Sequence, residues 1–235
     1  MDDNLNFETY LFLSSKKYVI SVYSEFKKKV YEKEMFLDSN SKDLDLDLEK
    51  LDNFLNENIF KIEKVLRNFV KNIFIIIDCE EFFITKISLK KNNYGEQITT
   101  KNLNHVLNEA KDQCSNTLNN QKIIHILIDC YFVDDKKFLN LPQNLKCNYF
   151  SLDTSFICLP LNYIKKIENI VSKYQISINR LISMKYLKTL FLDEDIDLYQ
   201  MTKKVIDGYN LNEVVLTTKK SKNKTFFEKF FRFFS

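Results

Sequence analysis

Reactive side chains are sparse in this 235-residue sequence, and those present sit in patterns that match no common catalytic arrangement. A histidine acting as a base or a metal ligand needs a partner to fix its tautomer or complete a coordination shell. His105 falls in the middle of a helical pattern and His125 inside the apolar run 123–128, neither with a partner nearby in sequence. Both are expected to be structural. Ser14 and Ser15 lack the G-x-S-x-G turn that exposes a nucleophilic hydroxyl. Asp193, Asp195 and Asp197, like Asp43, Asp45 and Asp47, copy the first ligands of a calcium loop, but Leu198 and Leu48 stand where its sixth-position glycine belongs. Lys204 and Phe54 occupy the twelfth positions, so these carboxylates are expected to start helices rather than bind metal.

Phosphate binding fares no better. A backbone that closes on phosphate usually needs glycine, and Gly95 and Gly208 each stand alone, without a P-loop or a G-x-G-x-x-G run. Five cysteines (Cys79, Cys114, Cys130, Cys147 and Cys158) are odd in number, widely spaced and free of Cys-x-x-Cys pairs. They are expected to be reduced core residues of a cytosolic protein. The sequence thus predicts no enzyme, no cofactor and no metal site.

Hydropathy patterning supplies the elements. Residues 10–23 and 29–37 alternate around a polar break and predict a two-stranded hairpin. Leu48, Leu51, Phe54, Leu55, Ile59, Ile62, Leu66 and Phe69 recur at helical spacing, and the run 74–77 has the continuous apolar character of a strand covered on both faces. A strand at 82–89, a helix from about Thr100, strands at 123–133 and 147–158, and a helix begun by Pro160 follow. A β-branched strand at 176–182 is expected to return to the first sheet, with helices at 185–192 and 198–206 after it. The fold class is therefore mixed α/β.

The charge is +3 overall, too balanced to predict a nucleic-acid partner. It is not evenly spread: residues 217–235 hold Lys219, Lys220, Lys222, Lys224, Lys229 and Arg232 against Glu228, leaving the rest of the chain slightly acidic. Within this tail Phe226, Phe227, Phe230, Phe231, Phe233 and Phe234 line one side of a helix, opposite Lys229 and Arg232. Partial burial of such rings, with about 1 kcal/mol from each nearby cation at an anionic surface, predicts reversible docking on a membrane. No apolar run suits a signal peptide or a span, so membrane contact is expected to be peripheral.

The order of segments resembles the N-terminal half of FtsA, the actin-like bacterial division protein. The resembling stretches are FLSSKKYVISVY for the first strand and LEKLDNFLNENIFKIEKVLRNFVKNIFIIID for helix plus strand. ITTKNLNHVLNEAKDQC, KIIHILIDCYFVDD and FICLPLNYIKKIENIVSKYQISINRLIS follow, and the terminal FFEKFFRFF resembles the family's membrane-targeting helix. The resemblance implies half of an actin-like (ribonuclease H-like) fold, with residues 1–79 and 175–216 as a discontinuous actin-like subdomain. It makes 80–174 an inserted β-α-β-β-α subdomain, 217–224 a basic linker whose Lys224 joins the membrane-binding residues, and 225–235 a membrane helix.

Against the family's first phosphate hairpin, Leu11 and Leu13 stand in place of Asp and Gly ahead of Ser14, Ser15 and Lys16. A leucine neither holds a magnesium-bound water nor lets phosphate approach the backbone, and the second actin-like half has no room in this chain. The resemblance thus implies a non-enzymatic scaffold on the cytoplasmic face of a bacterial inner membrane, with anionic lipid, division proteins including FtsZ, and self-association as its contacts. An actin-fold ATP-binding protein with a rebuilt site, and an actin-like scaffold of a pilus or secretion assembly, are the alternatives.

Overall fold

The structure, a computed structural model, describes residues 7–37, 47–140, 142 and 145–215. The tail that carries the phenylalanine stripe, with Lys224, Lys229 and Arg232, and the acidic residues Asp43 and Asp45 lie outside these described residues. The chain forms two units, Met1–Phe82 with Pro160–Asp207, and Phe83–Leu159 with Gly208–Ser235.

The first unit opens with three antiparallel strands, β1 (Phe7–Ser14), β2 (Lys17–Ser24) and β3 (Lys29–Phe36). Sequence patterning joined 10–23 into one strand. The chain instead reverses at Ser15–Lys16, because the register Leu13↔Tyr18 and Leu11↔Ile20 keeps all four of these side chains in the core. Helix α1 (Leu48–Leu66) follows, its first turn capped by Asp47, whose Oδ1 accepts from the Lys50 N–H at 2.9 Å. It ends at Arg67, in the left-handed region with φ 51°, so Phe69 leaves the apolar stripe predicted for it and is exposed. Strand β4 (Asn72–Asp78) then pairs parallel with β1, and Ile73, Ile75, Ile76 and Ile77 are buried, as expected of a strand covered on both faces.

The chain re-enters this unit at Pro160, and α3 (Leu161–Lys173; α2 lies in the second unit) leads into β9 (Ser177–Ser183), which pairs parallel with β4. The strand order is β3-β2-β1-β4-β9. Alternation sorts the faces: Tyr18, opposite Leu13, approaches Phe54 of α1, whereas Tyr10, one residue out of phase, meets Tyr199 of α5 (Leu198–Ile206). Hence α1 and α5 cover opposite faces of the sheet. Short α4 (Met184–Leu190) lies between β9 and α5 in sequence and contacts both. Helix α3, placed by sequence in the insertion, belongs to this unit, where it touches α1 and β9.

The second unit holds β5 (Phe83–Asn92), α2 (Thr100–Thr117), β6 (Gln121–Val133), β7 (Lys136–Phe138), β8 (Tyr149–Pro160) and β10 (Glu213–Val214), with sheet order β10-β6-β8-β5 and β7 on β6. Its core is Leu103, Val106, Leu107 and Ala110 of α2 against Ile126, Phe150, Leu152 and Phe156 of the sheet. All five cysteines are free thiols, and burial pushes the Cys158 thiol up to about 12.

Candidate functional site

In open α/β sheets, ligands gather beyond the carboxyl ends of the parallel strands. Here that end carries the β1–β2 turn, Asp78 at the end of β4 and Ser183 at the end of β9. The two-residue turn is closed by one hydroxyl: Ser14 Oγ accepts from the Lys16 N–H at 3.3 Å and the Lys17 N–H at 3.1 Å, and donates to the Lys17 carbonyl at 3.0 Å. Two backbone donors that a phosphate hairpin turns outward are thus occupied by the chain itself. Leu11 and Leu13 are wholly buried in the core, Ser15 is half-buried and Lys16 is exposed.

Across the sheet, Ser14 is level with Asp78, whose carboxylate receives the Lys188 ammonium at 3.2 Å. Ser183 is spent as a cap, its Oγ accepting from the Tyr186 N–H at 3.2 Å. Asp78 and Lys188 were not singled out from sequence; the available signal was an acidic residue directly after a buried parallel strand.

On the α5 face a cavity of about 300 Å³ runs along the sheet from Lys17 and Met184 to Tyr10 and Tyr199. Its inner end is closed by aromatic contact: Tyr23 and Tyr199 stack with centroids 3.6 Å apart, and Tyr10 meets Tyr199 edge-on at 5.3 Å. Its outer wall is β3, where Glu34 pairs with Lys17 at 3.0 Å and Glu32 with Lys29 at 2.8 Å. The charges lining this cavity are therefore largely matched to one another. Burial, then the hydrogen bond to Glu8, pushes the Tyr10 hydroxyl far above its ordinary value, so it stays a donor, 2.6 Å from Glu8 Oε2.

The remaining candidate residues take structural places. Asp197 caps α5, its Oδ1 accepting from the Gln200 N–H at 2.8 Å, and Asp47 caps α1 as described. Among the described residues no three His, Cys, Asp or Glu side chains converge to hold a metal ion. His105 is exposed on α2, 3.8 Å from Glu109. His125 is wholly buried, and its Nδ1 lies 2.7 Å from Glu213 Oε1, a partner 88 residues away that sequence gave no means of finding. Among the described residues no helix is long and apolar enough to cross a membrane.

Three antiparallel strands followed by two parallel ones, with helices on both faces, make the first unit a mixed α/β layer. No family model matches the sequence, and no curated protein does. Solved structures do resemble it. The cytoplasmic domain of EpsL, an inner membrane component of the type II secretion system of Vibrio cholerae, is 9% identical with a TM-score of 0.36, over 76% of this chain and 56% of that one. The PilM–PilN type IV pilus biogenesis complex gives 6% identity and a TM-score of 0.47, over 79% and 50%. A Bacteroides thetaiotaomicron protein of unknown function with an actin-like ATPase fold gives 12% and 0.38, over 82% and 59%. The chain spans between half and three fifths of the length of these structures.

Proposed function

We propose that this chain is a non-enzymatic, actin-fold scaffold that attaches a protein assembly to a membrane surface. The observation that carries the reading is the β1–β2 turn: the Lys16 and Lys17 N–H groups are taken by Ser14 Oγ, and Leu11 and Leu13 point into the core. With its turn closed by the chain's own atoms, the sheet serves shape rather than nucleotide chemistry. The membrane part of the reading rests on the sequence of the tail, with Phe226, Phe227, Phe230, Phe231, Phe233 and Phe234 on one side and Lys224, Lys229 and Arg232 as its cations.

EpsL and the PilM–PilN complex are named as parts of secretion and pilus assemblies, and a scaffold of that kind, at the cytoplasmic face of an inner membrane, is the first form of the proposal. The second form is a division adaptor that binds FtsZ, which the order of sequence segments favours. Co-sedimentation with anionic vesicles, comparing the full chain with one lacking residues 225–235, tests the shared part: weaker binding by the shortened chain is expected, and equal sedimentation rejects it. Pull-down from the same cell separates the forms, FtsZ supporting the second and pilus or secretion components the first.

A further inference from the structure

Beyond the tail, we infer that the first unit carries a second membrane contact, at the corner where the outer stripe of α1 meets its C-terminal end. Three large apolar side chains stand out there: Val65 is 55% and Phe69 75% exposed, and Phe26, in the turn between β2 and β3, is 79% exposed; Phe60, 72% exposed, lies farther back on the outward side of α1. A single exposed apolar residue means little, whereas several on one surface mark an interaction site. The turn belongs to the same corner. Tyr31 near the start of β3 donates to Asn58 Oδ1 at 2.6 Å, and a strand advances about 3.3 Å per residue against about 1.5 Å in a helix, so Phe26, five residues before Tyr31, reaches the level of the C-terminal end of α1.

The cations settle the kind of partner. Lys61, Lys64, Arg67 and Lys71 are exposed among these apolar groups, and none of the four has a carboxylate partner among the described residues. Lys27 and Lys28 follow Phe26. Three carboxylates share the corner, Glu25, Glu57 and Glu63, and the last is committed to the chain, its Oε1 accepting from the Val70 N–H at 3.1 Å. Phenyl and isopropyl groups among cations match an anionic lipid bilayer. The rings enter the headgroup region while the ammonium and guanidinium groups meet phosphate.

The early stop of α1 builds this corner. Arg67 adopts φ 51°, its backbone N–H bonding the Glu63 carbonyl, and that left-handed residue swings Phe69 out of the core face.

The test uses the full chain with vesicles of phosphatidylcholine alone or mixed with phosphatidylglycerol. Four proteins are compared: wild type, a tail variant (F226S, F227S, F230S and F231S), a corner variant (K64E and R67E), and the two combined. Each cation adds about fivefold in affinity at an anionic surface, so reversing two weakens binding by at least about tenfold. The tail variant is expected to keep salt-sensitive binding to the anionic vesicles that the combined variant loses. Equal binding by the tail and combined variants overturns the inference while leaving the tail reading standing. Loss of binding in the corner variant alone upholds the inference and rejects the tail. F69S, a fully surface substitution, repeats the comparison if charge reversal disturbs folding. Corner-dependent binding to duplex DNA without vesicle binding overturns the lipid assignment.

Discussion

Ser14 Oγ and the Lys17 N–H lie 3.1 Å apart, and that bond, with its fellow to Lys16, closes the turn at the carboxyl end of β1. Ser14→Ala removes the acceptor of two buried-side N–H groups and the donor to the Lys17 carbonyl. Each such bond is worth about 1 kcal/mol net, so a loss of about 1–2 kcal/mol is expected in urea denaturation. A variant as stable as wild type would show that the hydroxyl does not hold the turn.

Tyr199 ties α5 to the sheet through its stack on Tyr23 and its edge contact with Tyr10. Tyr199→Ala opens the cavity further and is expected to destabilise by about 3 kcal/mol, in line with large-to-small aromatic truncation. A double-mutant cycle with Tyr23→Ala should return a coupling of about 0.5–1.5 kcal/mol. Additive effects would mean the stack contributes only buried area.

The fold was largely legible because it rests on local signals. Apolar period and length marked α1, α2 and β4, and the β-branched run at 176–182 marked the returning strand. The turn at Ser15–Lys16 was missed although Ser14–Lys17 is a polar break, since no glycine, proline or asparagine marks a reversal there. The end of α1 was missed for a similar reason: Phe69 keeps helical spacing, while the left-handed Arg67 that ends the helix has no signature in its side chain. Of the candidate site, the apolar character of Leu11 and Leu13 was legible, but the Ser14 bonds that close the turn were not. The Asp78–Lys188 and His125–Glu213 pairs were not, because each joins residues far apart in sequence whose meeting depends on sheet order.

His125 and Glu213 form a buried pair that pins the short β10 to β6. Glu213→Ala removes this bond from the buried His125, and losing a buried hydrogen-bond partner costs about 1–3 kcal/mol. Hydrogen exchange at the β10–β6 ladder reads the effect directly: the Ile128 amide, bonded to the Asn212 carbonyl at 2.9 Å, should lose protection first. Unchanged protection there would mean the pair does not hold the strand.

Asp52 joins α1 to the end of α3, receiving the Lys173 ammonium and the Tyr174 hydroxyl, the latter at 2.8 Å. The Lys173 bond first, then the Tyr174 bond, holds its carboxyl below the usual carboxylate range. Stability from a carboxylate depressed in the folded state is present above its ordinary value, about 4, and fades as pH falls through the lower folded value. Thermal melts between pH 6 and pH 3 should therefore fall less steeply for Asp52→Asn than for wild type. Parallel curves would exclude this residue as a source of acid sensitivity.

The central proposal is that this fold serves without nucleotide, its β1–β2 turn closed by Ser14 over the buried Leu11 and Leu13. Calorimetric titration of the full chain with magnesium ATP, carried to millimolar concentration, tests it most directly. The account predicts no saturable heat, with wild type and Ser14→Ala alike; a saturable isotherm with one nucleotide per chain would contradict it.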